Sequence, residues 1–247
     1  MSEEVQVTGM VLSVMPIGEY DKRVVLLTRE RGKITAFARG ARRLKSPLMA
    51  ATTPFAFGTF EVYEGRNSYT MKSARIREYF QDLTGIQPGI YYGFYFLELA
   101  DYFGQEGNDE TQMLNLLYVS VNAIRKGILN LRLIRRIYEL RIMTVNGEYP
   151  QVFSCQECGS SEHLKVFSLR DSAIYCENCA GEVKDPWPLR AATIVACQYI
   201  ISAPLERLYA FSVTEEILEE LERLMNAYLN RYLDRKMKSL EILEAMI

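Results

Sequence analysis

Apolar and polar residues alternate through "VQVTGMVLSV" and again through "KRVVLLTRERGKITAFARG", a two-residue period that predicts strands over the first third of the chain. The runs are short, rich in Val, Ile and Thr, and broken by turn residues. Arg31-Gly32 fits a tight hairpin between strands at 24–28 and 33–39. Gly65-Arg66-Asn67 fits a second, joining 58–63 to 69–76. Between the third and fourth strands, "GARRLKSPLMAATTPFAF" has room for one short helix and a loop. Five strands with an insertion at that place match a small Greek-key barrel of the OB type, although other small barrels also have five.

From Pro88 the pattern turns helical. "GIYYGFYFLELADYF" is apolar nearly all round and predicts a buried helix. Asp109 can cap a second helix reaching about Lys126, and a third runs from about Leu129 to Val145, stopping at Asn146-Gly147. Further on, Pro188 can open a helix to about Ser202. The final segment starts at Ser212-Val213-Thr214-Glu215, a capping-box spacing, and is amphipathic to the C-terminus. The expected class is therefore multidomain α+β. Residues 1–80 form an OB-type nucleic-acid-binding domain, and residues 81–247 a helical domain with a cysteine module inserted at about 152–184.

That module is Cys155-x2-Cys158-x17-Cys176-x2-Cys179, inside the spacing window for four-thiolate zinc. Each Cys-x-x-Cys turn aims two sulfurs at one point about 2.3 Å away, and two turns complete a tetrahedron. Four thiolates leave no open position, so one Zn2+ here is structural and replaces the core that so short a module lacks. Two reduced structural pairs or a redox function are the competing readings. Cys197 fits a small core residue. His163, between the pairs, fits a loop residue better than a fifth ligand.

Composition adds less. The 247 residues are 49% hydrophobic and 24% charged, ordinary for a globular chain that needs no disulfides. The acidic start "MSEEVQVTGM" does not resemble a signal peptide, and no stretch reaches the ~18 apolar residues of a membrane span. A cytoplasmic protein with reduced thiols is expected. With one histidine, a Ser-His-Asp or Cys-His mechanism has no evident base. Neither G-x-x-x-x-G-K-[ST] nor G-x-G-x-x-G occurs, and carboxylates such as Glu19/Asp21 and Asp234/Glu241 are scattered. The expectation is a protein that is not an enzyme.

Charge is more telling. The net −2 hides a polarity: residues 1–80 hold 13 Lys/Arg against 8 Asp/Glu, and the remainder 16 against 23. From Arg31 to Phe60 there are six cations and no acid. Alternation puts Lys33, Thr35, Phe37 and Arg39 on one strand face, and Ile34, Ala36 and Ala38 on the other. Cations flanking an aromatic suit single-stranded nucleic acid, while the competing reading buries Phe37 in the barrel. Lys33, Arg39, Arg42, Arg43 and Lys45 are the candidate phosphate contacts, the last four continuing into a loop without a counter-charge.

"LLTRERGKITAFARGARRLKSPL…TPFAFGTFEVYEG" resembles the N-terminal signature of the RecO family of recombination mediator and DNA repair proteins. It carries a Thr-x-x-x-Gly-Lys hairpin, a Gly-Ala-Arg-Arg-x-x-Ser loop and a Pro-Phe before the fourth strand. "RRIYELRIMTVNGEYPQVFSCQECG" and "VFSLRDSAIYCENCAG" resemble the family's helix and zinc module. The resemblance runs from about residue 5 to 190. It implies an OB-fold followed by a zinc-bearing helical domain, binding of single- and double-stranded DNA, and strand annealing. It also implies partnership with RecR and with the tail of single-stranded-DNA-binding protein (SSB), helping recombinase load on SSB-coated DNA. In this light Arg132, Arg135 and Arg136, which share a helical stripe with Glu139, and with Arg125 if the helix continues through Gly127, are candidates to line a notch for the acidic, hydrophobic SSB tail. The competing reading is a solvated helix face. The slightly acidic pI near 5.7 confines DNA contact to the N-terminal domain. Two rival functions remain open at this point: a zinc-stabilised scaffold binding only protein, and an OB-fold RNA-binding protein.

Overall fold

A strand as long as β1 (Glu3–Ile17) can serve two partners, and it does so in the computed structural model, which describes residues 3–66 and 68–247. Its first half pairs antiparallel with β4 (Phe57–Glu64), from Glu3↔Glu64 to Met10↔Phe57. Its second half pairs with β2 (Asp21–Thr28), from Gly9↔Thr28 to Ile17↔Asp21, and a bulge at Leu12 bends the strand between the two. Gly9 and Gly58 face each other across this crossing. A Cβ on Gly9 would lie 2.4 Å from the Leu27 carbonyl oxygen, and one on Gly58 2.3 Å from that of Arg75, so only glycine fits either place.

β2 continues antiparallel into β3 (Gly32–Ala38), and β3 meets β5 (Tyr69–Glu78) in parallel at Ala36↔Tyr69 and Phe37↔Thr70. β5 closes on β4, giving a closed barrel in the order β1-β2-β3-β5-β4, the OB arrangement. The β2–β3 turn is Arg29–Arg31, one residue earlier than Arg31-Gly32, with Gly32 already in the strand at φ 66°. The β4–β5 turn is held by the Gly65 amide donating to the Ser68 carbonyl at 2.9 Å. Asn67, which the sequence places in that turn, lies outside the described residues. The insertion between β3 and β4 holds the short α1 (Leu48–Ala51).

Inside the barrel, Val7, Val24, Leu26, Ile34, Ala36, Phe60, Val62 and Met71 form one buried cluster. β3 contributes its Ile34/Ala36/Ala38 face, with Lys33, Thr35 and Phe37 outside. Phe37 is therefore not a core residue: the small alanines fill the interior, and the aromatic stands on the outer wall. The same compact unit, residues 1–125 with 237–247, includes α2 (Gly89–Phe103), nearly all of α3 (Thr111–Lys126) and α7 (Lys238–Met246). α2 is buried along most of its length, as its all-round apolar pattern predicts. Asp109 does cap α3, accepting from the Thr111 amide at 3.0 Å. α7 packs on α2, and the Glu98 carboxylate accepts from the Lys238 amide at 3.1 Å and the Ser239 amide at 2.7 Å, satisfying two free N–H groups at the start of α7.

The second compact unit is residues 126–236. The compact units are thus cut elsewhere than the change from strand to helix at residue 80, because α2, α3 and α7 pack in the unit that holds the barrel. In the second unit, α4 (Leu131–Val145) starts behind Asn130, whose side chain accepts from the Arg132 amide at 2.8 Å. β6 (Leu164–Ser168), β7 (Ala173–Cys176) and β8 (Pro186–Pro188) form a three-stranded sheet in the order β7-β6-β8. Pro188 does not open a helix, because Pro186–Pro188 pair with β6 and α5 begins at Ala191 and ends at Ser202. α6 (Glu215–Tyr232) starts behind Thr214, which makes no side-chain cap bond, so the Ser212 capping box does not form. The amphipathic run also breaks after Tyr232 and resumes as α7, where Glu98 fixes the new start.

Candidate metal centre and nucleic-acid interface

The two Cys-x-x-Cys turns converge. The first is a tight loop in which the Cys155 amide donates to the Ser160 carbonyl at 2.7 Å and the Gly159 amide to the Cys155 carbonyl at 2.9 Å. Gly159 sits at φ 72°, a conformation that glycine adopts without strain. The second follows β7, with the Cys179 amide donating to the Cys176 carbonyl at 3.1 Å. Across the pair, the Sγ atoms of Cys155, Cys158, Cys176 and Cys179 all lie within 4.8 Å of one another, and Cys158 and Cys176 are 3.7 Å apart. A tetrahedron with metal–sulfur bonds of about 2.3 Å has edges of about 3.8 Å, so the donor set fits a four-coordinate thiophilic ion.

Cys155 and Cys179 are shifted in opposite directions. Burial opposes ionisation at Cys155, but backbone N–H groups outweigh it and bring the thiol down to about 6. A hydrogen bond to Cys176, then burial, pushes Cys179 up to about 12. Four clustered thiols cannot all ionise together without a cation among them, which is the charge state a bound divalent ion would stabilise. None of the five cysteines is in a disulfide. Cys197 is fully buried on α5, and burial pushes its thiol up to about 12, so it behaves as a core residue. His163 is exposed and stands outside the sulfur cluster. Phe167 of β6 meets Tyr228 of α6 edge-on at 6.5 Å, joining the module to the helices.

On the barrel, the loop after β3 is tied to the β1–β2 turn. The Gly40 amide donates to Asp21 Oδ1 at 2.7 Å, the Arg42 amide to the Tyr20 carbonyl at 2.8 Å, and the Arg42 guanidinium to the Gly18 carbonyl at 3.1 Å. The Arg43 guanidinium lies 5.0 Å from the centre of the Tyr20 ring. Lys22 secures α1 behind the loop, donating to Met49 O at 3.1 Å and to Thr52 O and Oγ1 at 2.9 Å. Burial first, and the Arg42 charge second, lower its pKa. Arg39, Arg42, Arg43 and Lys45 are all exposed, and none joins an ion pair among the described residues. Of the two acids at the β1–β2 end, Asp21 is already used on the Gly40 amide, and Glu19, in the turn itself, forms no ion pair with these cations among the described residues.

Lys33 differs from the other four cations. Its Nζ lies 3.3 Å from the Asp101 carboxylate and donates to the Asp101 carbonyl at 2.5 Å, which ties β3 to α2. Beside the free cations, cross-strand pairing lines up Met15, Arg23 and Phe37 on the outer wall. Sequence reasoning missed Arg23, Met15 and Tyr20. The signal was there for Arg23, since Val24 and Leu26 face inward and alternation turns Arg23 out. A cleft of about 310 Å3 opens along this wall between Met15, Arg23, Lys33, Thr35 and Asp101.

The α4 arginines face carboxylates of their own unit. Arg135 and Arg136 are buried, with Arg135 Nε 2.8 Å and Arg136 Nη1 2.7 Å from the two oxygens of Glu139, which is fully buried. Arg136 also donates to Asn226 at 2.9 Å. Arg132, the most accessible of the three, grips both oxygens of Glu222 at 2.9 and 2.6 Å and also bonds Glu215. These contacts join α4 to α6 and leave no open row of cations: the three arginines that the sequence offers for a notch hold carboxylates of their own unit. A solvated face is equally absent, because α4 is covered on all sides from Leu133 to Leu140.

Burial works against ionisation of Glu222, but the hydrogen bond from Arg132 and the charges of Arg136 and Arg132 outweigh it and lower its pKa. A carboxyl lowered on folding stabilises above its unfolded pKa, and that stabilisation fades as pH falls through the lowered value. Urea unfolding at pH 7 and pH 4 is therefore expected to show a smaller acid loss in Arg132→Ala than in the unmodified chain. An equal loss in both would assign the acid sensitivity elsewhere.

Among the described residues, no helix is long and apolar enough to cross a membrane. Residues 1–80 match the family model described as Recombination protein O N terminal, and residues 89–241 the one described as Recombination protein O C terminal. The chain is 31% identical over 240 residues to the DNA repair protein RecO of Alkaliphilus metalliredigens, covering 96% of this chain and 98% of that one. It is 30% identical over 243 residues to the DNA repair protein RecO of Bacillus subtilis, covering 96% and 93%. Both halves of the chain, the barrel with its cationic loop and the helices with their four-cysteine module, thus fall under one description, and the chain belongs to the RecO family of DNA repair and recombination proteins.

Proposed function

We propose that the chain is a non-enzymatic recombination mediator whose barrel, residues 1–80, holds single-stranded DNA by its phosphates and promotes annealing of complementary strands. The observation that carries this reading is the set of four exposed cations, Arg39, Arg42, Arg43 and Lys45, none in an ion pair among the described residues, on a loop anchored to the β1–β2 turn. Cations on one rim lower the repulsion between two phosphate backbones, which is the main electrostatic barrier to annealing. Lys33 is left out of the contact set, because Asp101 already neutralises it. Duplex DNA offers the same phosphates and would bind the same rim. Family membership supports RecR and the SSB tail as partners, recombinase loading on SSB-coated DNA as the task, and a cytoplasmic, nucleoid-associated location.

In the second unit we assign one structural Zn2+ to Cys155, Cys158, Cys176 and Cys179, supported by the all-sulfur donor set and its tetrahedral spacing. The ion would supply charge compensation for the thiolates and no open coordination position. For the SSB tail, Arg132, Arg135 and Arg136 are weaker candidates than their sequence stripe suggests, since an incoming carboxylate must displace Glu139, Glu215 or Glu222.

The test is salt dependence. Fluorescence anisotropy of a labelled single strand is expected to show affinity nearly independent of sequence and falling steeply with salt. Replacing Arg39 and Arg43 with Ala is expected to reduce the log–log slope by about one to two units and to slow annealing in parallel, with folding and metal content unchanged. A folded double variant that keeps the full slope and annealing rate would favour the protein-only scaffold, and tighter binding of RNA than of DNA would favour the RNA-binding alternative.

A further inference from the structure

The tip of the cationic loop carries an apolar side chain that the fold does not use. Leu44 is 91% exposed, the highest value among the exposed large hydrophobic residues described. Single exposed leucines are common on protein surfaces and by themselves mean little. This one has a specific setting. Arg42 and Arg43 precede it, Lys45 follows it, and all three are exposed without an ion-pair partner among the described residues. It is also held outward rather than trailing. The Ser46 amide donates to the Arg43 carbonyl at 3.1 Å, closing a four-residue turn with Leu44 and the left-handed Lys45 (φ 67°) at its apex. The Arg43 amide donates in turn to the Gly40 carbonyl at 3.0 Å, and Gly40 is fixed by Asp21.

We infer that Leu44 is a base-contacting wedge: with a strand's phosphates on Arg39, Arg42, Arg43 and Lys45, its side chain covers the faces of the adjoining nucleobases. This rests on the phosphate reading of the same loop. The chemistry follows from what Leu44 lacks. It has no donor or acceptor, so it cannot read base edges, but an apolar side chain can slip between base steps and hold them unstacked. Charge complementarity selects a polyanion as the occupant, and an anionic strand with exposed aromatic bases is the one that rewards cations and leucine together. Bases in a duplex are stacked against each other, so the wedge favours single strands. A strand held with its bases unstacked is also ready to pair with a second one.

The experiment compares an oligothymidylate with an abasic strand of equal length, which presents the same phosphates without bases. Leu44→Ser is expected to lower affinity for the oligothymidylate about five- to tenfold, the effect of covering part of one leucine. Affinity for the abasic strand, the salt slope and the thermal unfolding midpoint are expected to stay unchanged, and Leu44→Met is expected to retain most of the oligothymidylate affinity. An unchanged ratio between the two strands in Leu44→Ser overturns the inference. So does a loss seen only with phosphatidylserine vesicles, which would assign the loop to a membrane surface. Failure of the phosphate reading looks different: the salt slope then survives the Arg39 and Arg43 replacements, and the inference falls with it whatever Leu44→Ser does.

Discussion

Cys176→Ser is expected to strip the proposed zinc from the protein and to unfold the module around it, while Cys197→Ser leaves the metal in place. Cys176 ends β7 and belongs to a set of four sulfurs within 4.8 Å of one another. Removing one thiolate leaves three ligands and an incomplete charge. Structural zinc contributes on the order of 10 kcal/mol in small isolated modules, so the loss outweighs any packing term in so short a segment. The sheet β7-β6-β8 should loosen with it, since its strands have three to five residues each and cannot hold a core alone. Cys197 is a fully buried thiol with no part in the cluster, and serine there adds a hydroxyl to an apolar site at a cost of about 1–3 kcal/mol. Elemental analysis should give about one zinc per unmodified chain, almost none for Cys176→Ser and about one for Cys197→Ser. Metal-free protein carrying a disulfide within the cluster would replace the zinc proposal with a redox one.

Glu139→Ala is expected to destabilise the second unit by about 3–5 kcal/mol, because it leaves two buried guanidinium groups without their shared carboxylate. That is a large fraction of a domain's usual net stability of about 5–15 kcal/mol. The opposite outcome is expected when the whole cluster is removed. With Arg135→Met, Arg136→Leu and Glu139→Leu together, the three buried charges go at once and Glu222 keeps Arg132 as its partner, and replacement of such a cluster by apolar residues of similar volume is often neutral or stabilising by about 1–4 kcal/mol. Urea unfolding monitored by circular dichroism separates the two, and DNA binding by the barrel serves as the control that the first unit is intact. A loss below about 1 kcal/mol in Glu139→Ala would mean that water reaches this cluster and screens it.

The arginine cluster also shows where a sequence stops being legible. Helical spacing places Arg132, Arg135, Arg136 and Glu139 on one stripe, which is correct, but it cannot say whether the stripe faces water. On an amphipathic helix charges face out, and α4 instead is covered on every side from Leu133 to Leu140. The deciding partners, Glu215 and Glu222, lie some eighty to ninety residues away on α6. The same limit applies to Pro186–Pro188. Pro188 before an apolar run reads locally as a helix start, whereas pairing with β6 puts it in a strand. Phe37 is a milder case: the alternation was clear, but the choice of inner face depended on the barrel closing around Ile34, Ala36 and Ala38.

What was legible rested on short-range chemistry. The five strands, the short helix in the insertion, Asp109 as the cap of α3 and the convergence of the two Cys-x-x-Cys turns each follow from local period or spacing. The free cations of the loop were legible for another reason. A stretch of thirty residues without an acid offers few neighbours in sequence to neutralise them, and the structure supplies none for Arg39, Arg42, Arg43 or Lys45 among the described residues. Lys33 is the exception, and its partner Asp101 comes from a helix far along the chain.

The path of the chain through its two compact units has a consequence for synthesis on the ribosome. The unit that holds the barrel needs residues 237–247, yet residues 126–236 are made in between. At roughly 5–20 residues per second, that interval lasts on the order of ten seconds. Throughout it, the surface of α2 that α7 will cover is bare, and the Glu98 carboxylate has no helix start to cap. The barrel strands can pair during this time, but the unit around them stays open to chaperones and to premature association until α7 arrives.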